Sequence, residues 1–279
     1  MSSLRKKRVG TMIRICDNTT IPRLLQYFGE DYHKAIYLYI DLKRYGCETP
    51  DVTVFAMENE AGKLTGLFLQ YYDCIHCYSR DNDFDRQELL DLFQTRSPNT
   101  IFFCREMFEA LGLDLSREFE LHPVEMFRTV HYDEQPPIPL EKATREDMEE
   151  VVDLLMTSDE YRKVYQRDAL IVQMKERMDQ GFSRSYVLRE NGRIVFHTGT
   201  VAEERPLAIG GMAILDESLR GRGLGKRLFA SAYNLVIEDG FICYSNNMDE
   251  RAKRMHLSLG YRMEAHLVKL TRIRKEQSK

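Results

Sequence analysis

No run of about eighteen apolar residues occurs anywhere in the chain, which argues against a membrane-spanning helix. There is no charge excess of either sign: the net charge is −4 and the pI is near 6.0. Neither a nucleic-acid surface nor an anionic-membrane surface is signalled by the whole chain. The opening segment MSSLRKKRVG is basic, but no apolar stretch follows it, and this argues against a secretory leader. Cysteine is sparse and scattered, at positions 16, 47, 74, 77, 104 and 243. Such spacing is no disulfide framework and predicts a cytoplasmic protein with reduced thiols. One pair, Cys74-Ile75-His76-Cys77, has the spacing of half a metal site or a redox motif. It sits in an apolar, aromatic-rich stretch that reads as a strand, where residues three apart point to opposite faces. No second Cys-x-x-Cys exists to complete a metal site, and none is predicted.

What is present is ordinary globular composition, with 279 residues of which 43% are hydrophobic. That length suits two domains, each large enough to bury a core. In the first half, strands are predicted over residues 11–16, 52–57 and 100–104 and around 119–132. Residues 64–78 read as one long strand or a hairpin. Helices are predicted within 21–44, 85–94 and 106–111. Gln135-Pro136-Pro137-Ile138-Pro139 then interrupts the pattern. Three prolines in four positions continue neither a helix nor a central strand, so the boundary is drawn between domains at 1–135 and 140–279.

The second half repeats the order. A short strand at 140–143 leads into Thr144-Arg145-Glu146-Asp147, which resembles a capping box. Helices follow over 148–156 and 164–178, then strands over 185–189 and 193–201 joined by the tight turn Glu190-Asn191-Gly192. A turn over 202–206 precedes a strand at 207–215. The remaining elements are a helix after residue 223, a strand at 241–245, a helix at 249–259 and a strand at 261–272. The shared order suggests an internal duplication with a period of roughly 130 residues. The basic residues are uneven: 16 against 22 acidic ones in residues 1–139, and 24 against 22 in the remainder.

The chemistry concentrates in residues 207–238. The apolar strand LAIGGMAIL meets Arg220-Gly221-Arg222-Gly223-Leu224-Gly225, and a helix follows. In it, Leu224, Leu228, Phe229, Ala232, Leu235 and Val236 recur at spacings of three and four, which is one apolar helix face. The glycines therefore sit at the helix entrance, where free amides and the positive dipole end attract anions. Arg220, Arg222, Lys226 and Arg227 add positive charge, so the segment reads as a pyrophosphate site. The glycines alternate, so the dinucleotide pattern G-x-G-x-x-G is not met. Lys226 is followed by Arg227, so the nucleoside-triphosphate loop is not met either.

The segment, with its upstream strand and the closing Leu259-Gly260-Tyr261, resembles the signature of the GNAT superfamily of acetyl-CoA-dependent N-acetyltransferases over roughly residues 140–275. The resemblance implies an α/β (α+β) fold. It implies two tandem GNAT-like domains, each a mixed central sheet flanked by helices, the first degenerate and lacking the loop. It also implies acetyl-CoA as acyl-donor cosubstrate. The amides of Gly221, Arg222, Gly223, Leu224, Gly225, Lys226 and Arg227 would hold the pyrophosphate, with Arg220 and Asn246 nearby. The backbone of Ala213, Ile214 and Leu215 would pair with the pantetheine arm and polarise the acetyl carbonyl.

The family's helix motif carries a tyrosine that serves as general acid; its position here holds His256, and the asparagine position holds Asp249. His256, Tyr244 and Asn246 are candidates for the acid, and Glu203, Glu204 and His197 for the base. In the first half, residues 79–85 contain three aspartates and no glycine, which would repel a pyrophosphate. Three functions are therefore weighed. The first is an N-acetyltransferase acting on a small-molecule amine, a peptide amine or a protein lysine. The others are a Fem-like aminoacyltransferase and a non-catalytic CoA-binding module. The acceptor, the acyl length and the oligomeric state are left open by the sequence.

Overall fold

Each half of the sequence builds five strands of its own sheet and lends a sixth to the other. The structure, a computed structural model, describes residues 12–247 and 250–273. The basic opening segment and Asp249 lie outside them. Two compact units divide the chain, one of residues 1–124 with 265–279, the other of residues 125–264.

The first unit contains β1 (Met12–Ile15), α1 (Ile21–Phe28), α2 (Ile36–Tyr45), β2 (Val52–Glu58), β3 (Leu64–Tyr71), β4 (Cys74–Tyr78), α3 (Arg86–Arg96), β5 (Thr100–Cys104) and α4 (Arg105–Leu111). The stretch at 64–78 is thus a hairpin, turned at Tyr72 with φ +50°. β6 (Phe119–Arg128) begins in this unit and ends in the second. There follow β7 (Glu141–Lys142), α5 (Met148–Leu155), α6 (Asp159–Val164), α7 (Arg167–Asp179), β8 (Ser185–Glu190), β9 (Arg193–Glu204) and β10 (Leu207–Leu215). α8 (Leu224–Glu238), β11 (Ile242–Asn247) and α9 (Glu250–Ser258) lead to β12 (Arg262–Arg272), which returns to the first unit.

The strand orders are β1-β2-β3-β4-β5-β12 and β7-β8-β9-β10-β11-β6. In both sheets the fourth and fifth strands run parallel and the other pairs run antiparallel. The duplication suggested by element order is therefore a duplication of topology. The exchange of the sixth strand also explains the division by compactness. β6 pairs with β11 through Glu125–Arg128, and β12 pairs with β5 through Leu267–Thr271.

In the second unit both faces of the sheet are covered, so central β9 is buried at nearly every position, as a strand between two helical layers must be. On one face, Met148, Val151 and Leu155 of α5 and Leu170 and Met174 of α7 pack on Val187, Ile194 and Ile214. On the other, Phe229, Tyr233 and Val236 of α8 pack on Phe127, Ala208 and Cys243. The 190–192 turn has Asn191 and Gly192 both left-handed, at φ +53° and +78°, the pair a type I′ hairpin requires. Of the capping-box pattern one arm forms: the Thr144 amide donates to Asp147 at 2.8 Å.

The proline-rich run lies within the second unit, laid along α8. Asn234 accepts from the Tyr132 amide at 3.0 Å and donates to its carbonyl at 2.9 Å. Ser231 accepts from the Ile138 amide at 2.8 Å, and Arg227 donates to the Pro136 carbonyl at 3.0 Å. Residues 227, 231 and 234 share one helix face. A strap whose prolines carry no N–H offers few donors, and these three side chains meet the groups it has.

Candidate active site

The second unit has a break in its sheet. β10 and β11 pair in parallel from Leu207–Ile242 to Gly210–Ser245, and the pairing stops there. β10 runs on to Leu215, while β11 turns its remaining residues to β6. The backbone of residues 211–215 is thus left without a β11 partner beyond the last pair. Two glycines permit the geometry. A Cβ on Gly210 would lie 2.1 Å from the Tyr233 hydroxyl. After Gly211 the β9 register shifts until Ile214, with Met212 at φ +57° between them.

Side chains pin this bulge. His197 donates from Nδ1 to the Met212 carbonyl at 2.8 Å, and its Nε2 accepts from the Ser185 hydroxyl at 3.0 Å. Burial pushes the imidazole down to about 4, so it is neutral at pH 7 with both nitrogens engaged. Tyr161 of α6 donates to the Ala213 carbonyl at 3.2 Å. His197, weighed as a base, thus holds the bulge. Neither Tyr161 nor Ser185 carries any motif that would have singled it out.

The glycine loop follows. Asp216 caps the turn at Glu217–Leu219 by accepting from the Ser218 amide, and Arg220 Nε donates to the Leu215 carbonyl at 3.1 Å. Gly221 and Gly223 take φ +77° and +73°, and a Cβ at either would meet nothing within 4 Å. Left-handed backbone favours glycine, and the space in front is open. α8 starts at Leu224 with no side-chain cap and no acidic residue in its first turn. Its first amides have no intrahelical partner, so the loop fits a phosphate group.

The four cations divide. Arg220 and Arg222 are exposed. Lys226 donates to the Ser258 carbonyl at 2.7 Å and lies 4.9 Å from the Tyr132 ring centroid. Arg227 is tied to the strap. The side chains of Lys226 and Arg227 therefore brace the loop.

The candidate catalytic groups are not gathered at one point. His256 is 2% exposed, packed against Phe127, Phe229 and Tyr261, with Nε2 3.5 Å from the Ser245 hydroxyl. Burial pushes it down to about 4. It thus sits by the last paired residue of β11, as a neutral ring. Tyr244, on the opposite face of β11 from Ser245, donates to Glu264 at 3.0 Å. Glu203 is buried and accepts from Arg184 at 2.6 and 2.9 Å. Glu204 pairs with Leu207, three residues before the sheet opens and ~10 Å away along the strand. Asn246 is exposed on β11, one residue past the last β10 pair.

The first unit contrasts at the matching places. β4 ends at Tyr78, one residue beyond its last pair with β5. The start of α3 is filled by Asp85, whose Oδ1 accepts from the amides of Gln87 and Glu88 at 2.9 and 3.0 Å. In β4, burial pushes the Cys74 thiol up to about 12 and raises Cys77 as well, which disfavours the thiolate a metal would need. Among the described residues no helix is long and apolar enough to cross a membrane.

The chain matches no family model and no curated protein. Solved structures do resemble it. A GCN5-related N-acetyltransferase from Sphaerobacter thermophilus superposes with a TM-score of 0.65 at 13% identity, over 95% of this chain and 96% of that one. A tandem GNAT protein from the clavulanic acid biosynthesis pathway gives 0.62 at 14%, over 94% and 98%. A GNAT-family acetyltransferase from Colwellia psychrerythraea gives 0.61 at 13%, over 94% and 100%. At such identities the likeness is one of fold: the chain has a GNAT fold, in a two-domain arrangement.

Proposed function

We propose that the second unit binds acetyl-CoA and transfers its acetyl group to an amine, and that the first unit is a degenerate GNAT-like domain that binds no CoA. One observation carries the reading. An open loop with two left-handed glycines and an uncapped helix start stands at the end of a strand whose edge is unpaired. The loop has the chemistry of a diphosphate receptor, and the stretch of residues 211–215 that has no β11 partner has that of a partner for the amide groups of a pantetheine arm. Both features coincide in the second unit, whereas the first has Asp85 where an anion would sit.

Acetyl-CoA supplies the acetyl group as a thioester. The amides of residues 221–225 are its pyrophosphate ligands in this reading, with Arg220 and Arg222 flanking. In this reading backbone N–H donors within residues 213–215 polarise the acetyl carbonyl. The rigidity of the bulge around Met212 is the contribution of His197 and Tyr161. The attacking amine loses a proton to solvent or to a neighbouring acceptor, the C–N bond forms, and the C–S bond breaks with its electron pair on sulfur. A protonated imidazole at residue 256 is scarce at pH 7, so thiolate protonation falls to solvent.

Calorimetry with acetyl-CoA tests this, on the wild type and on Gly223→Asp/Gly225→Asp. Micromolar binding to the first and none to the second is the expected result; absence of wild-type binding would overturn it. A second reading, CoA binding without turnover, draws on the neutral His256 at the family's tyrosine position. Transfer of acetyl to any amine would exclude that reading.

A further inference from the structure

A cavity of about 490 Å³ lies at the start of β11, the end away from the opening. It forms where the chain leaves α8 through Gly240, at φ +84°, and where β6 ends at Arg128. Cys243, Tyr244 and Ser245 separate it from the opening along the strand, and each is no more than 2% exposed. It is therefore a separate site, of a size that takes small organic ligands. Val130, Ile237, Phe241 and Ile242 supply apolar wall, and Arg128 and Arg262 supply charge. No carboxylate is among the lining residues. The acids around it are already engaged: Glu264 by Arg128 at 3.5 Å, Asp239 by Arg184, and Asp133 and Glu238 by His131 at 2.7 and 3.0 Å. His131 is thereby committed at both ring nitrogens, and the Thr129 hydroxyl donates to the Cys243 carbonyl at 2.9 Å. The side-chain donors left for a ligand are the guanidinium groups. Arg262 is exposed, and the Glu264 contact occupies one nitrogen of Arg128, whose fork carries five donors.

We propose that this cavity binds a small amphipathic carboxylate, its head on Arg128 and Arg262 and its apolar body against Ile237, Phe241 and Ile242. The assignment is independent of the acetyl-CoA reading. The two arginines enter the lining from the end of β6 and the start of β12, and a guanidinium fork matches a carboxylate. The last turn of α8 forms another part of the wall and brings the negative end of the helix dipole. That end favours a single negative charge over a phosphate dianion, and it puts the apolar body rather than the head beside the helix. The apolar side chains there gain by removing a hydrocarbon from water.

Octanoate is the probe, with octanamide as its neutral match. Each is titrated into the full chain carrying labelled isoleucine methyls, so that NMR reads both affinity and place. Octanoate is expected to shift Ile237 and Ile242 and to leave Ile214, beside the bulge, unmoved. It should bind about 10-fold tighter than octanamide, a modest preference because the arginines are partly solvated. In Arg262→Gln the preference falls to about two- to three-fold, since Arg128 remains. Arg262→Lys keeps most of it, and Arg128→Gln/Arg262→Gln brings it to about one. Arg262 is exposed, so its replacement leaves the fold intact, which the ligand-free methyl spectrum checks. No saturable binding, shifts at Ile214 in place of Ile237 and Ile242, equal affinity for the amide, or a preference unchanged in the double variant would overturn the assignment.

Discussion

Gly210 and Tyr233 show how one atom decides this site. The tyrosine ring is fully buried, and its hydroxyl donates to the Gly199 carbonyl at 3.2 Å across the space a Cβ on Gly210 would occupy. Gly210→Ala is expected to cost about 3 kcal/mol by overpacking, read as a lower midpoint in urea. The buried histidines make a second prediction. His76, His197 and His256 are each pushed down to about 4 by burial. Below the ordinary histidine value the unfolded chain takes up protons that the folded chain refuses. Stability is therefore full above pH ~6.5, falls as pH drops toward 4, and levels off below, by on the order of 3 kcal/mol at most for each group. His76 stacks on Tyr37 and Phe102, so His76→Phe keeps the packing and should flatten its share of that slope. Melting curves at pH 7 and pH 4.5 would show it.

At the scale of elements, capping separates the two halves. Asp85 closes the start of α3, and Asp85→Ala should cost about 1 kcal/mol. α8 begins without such a side chain, and its exposed amides are the feature that a ligand can use. The strap gives a sharper contrast. Asn234 satisfies two backbone groups of buried Tyr132, whereas Ser231 satisfies one amide of a partly buried residue. Asn234→Ala is therefore expected to destabilise by about 2–4 kcal/mol and Ser231→Ala by clearly less, measured by thermal unfolding.

Helices and strands were largely legible in the sequence because local signals agree with the fold. Apolar spacing marked the face of α8, Asn191-Gly192 marked the hairpin, and alternating glycines marked the helix entrance. The contacts around them were not legible. Nothing local ties Ser185 to His197, Tyr161 to Ala213 or Arg227 to Pro136; these pairs lie 12, 52 and 91 positions apart. The side chains of Lys226 and Arg227 looked like phosphate ligands by proximity in sequence, and tertiary partners claim them. Burial likewise changes the meaning of His256, which reads from sequence as an acid and stands in an aromatic cage.

For the whole molecule, the proline run reads as the boundary between domains, but the strands are shared out differently. Residues 125–264 are continuous and contain every contact named for the site. A fragment of those residues is expected to fold and keep acetyl-CoA affinity. A fragment of residues 1–135 lacks β12 and should fail to give a dispersed NMR spectrum, since β5 loses its partner strand. If the shorter N-terminal fragment folded unaided, the exchanged strand would be dispensable. The same exchange sets an order of events on the ribosome. The half that is translated first cannot finish its sheet until the entire second half has been made, a wait of ~10 s at ordinary elongation rates. Through that interval β5 stands as an open edge, and a nascent chain in that state is the form of this protein most exposed to chaperones and to mispairing.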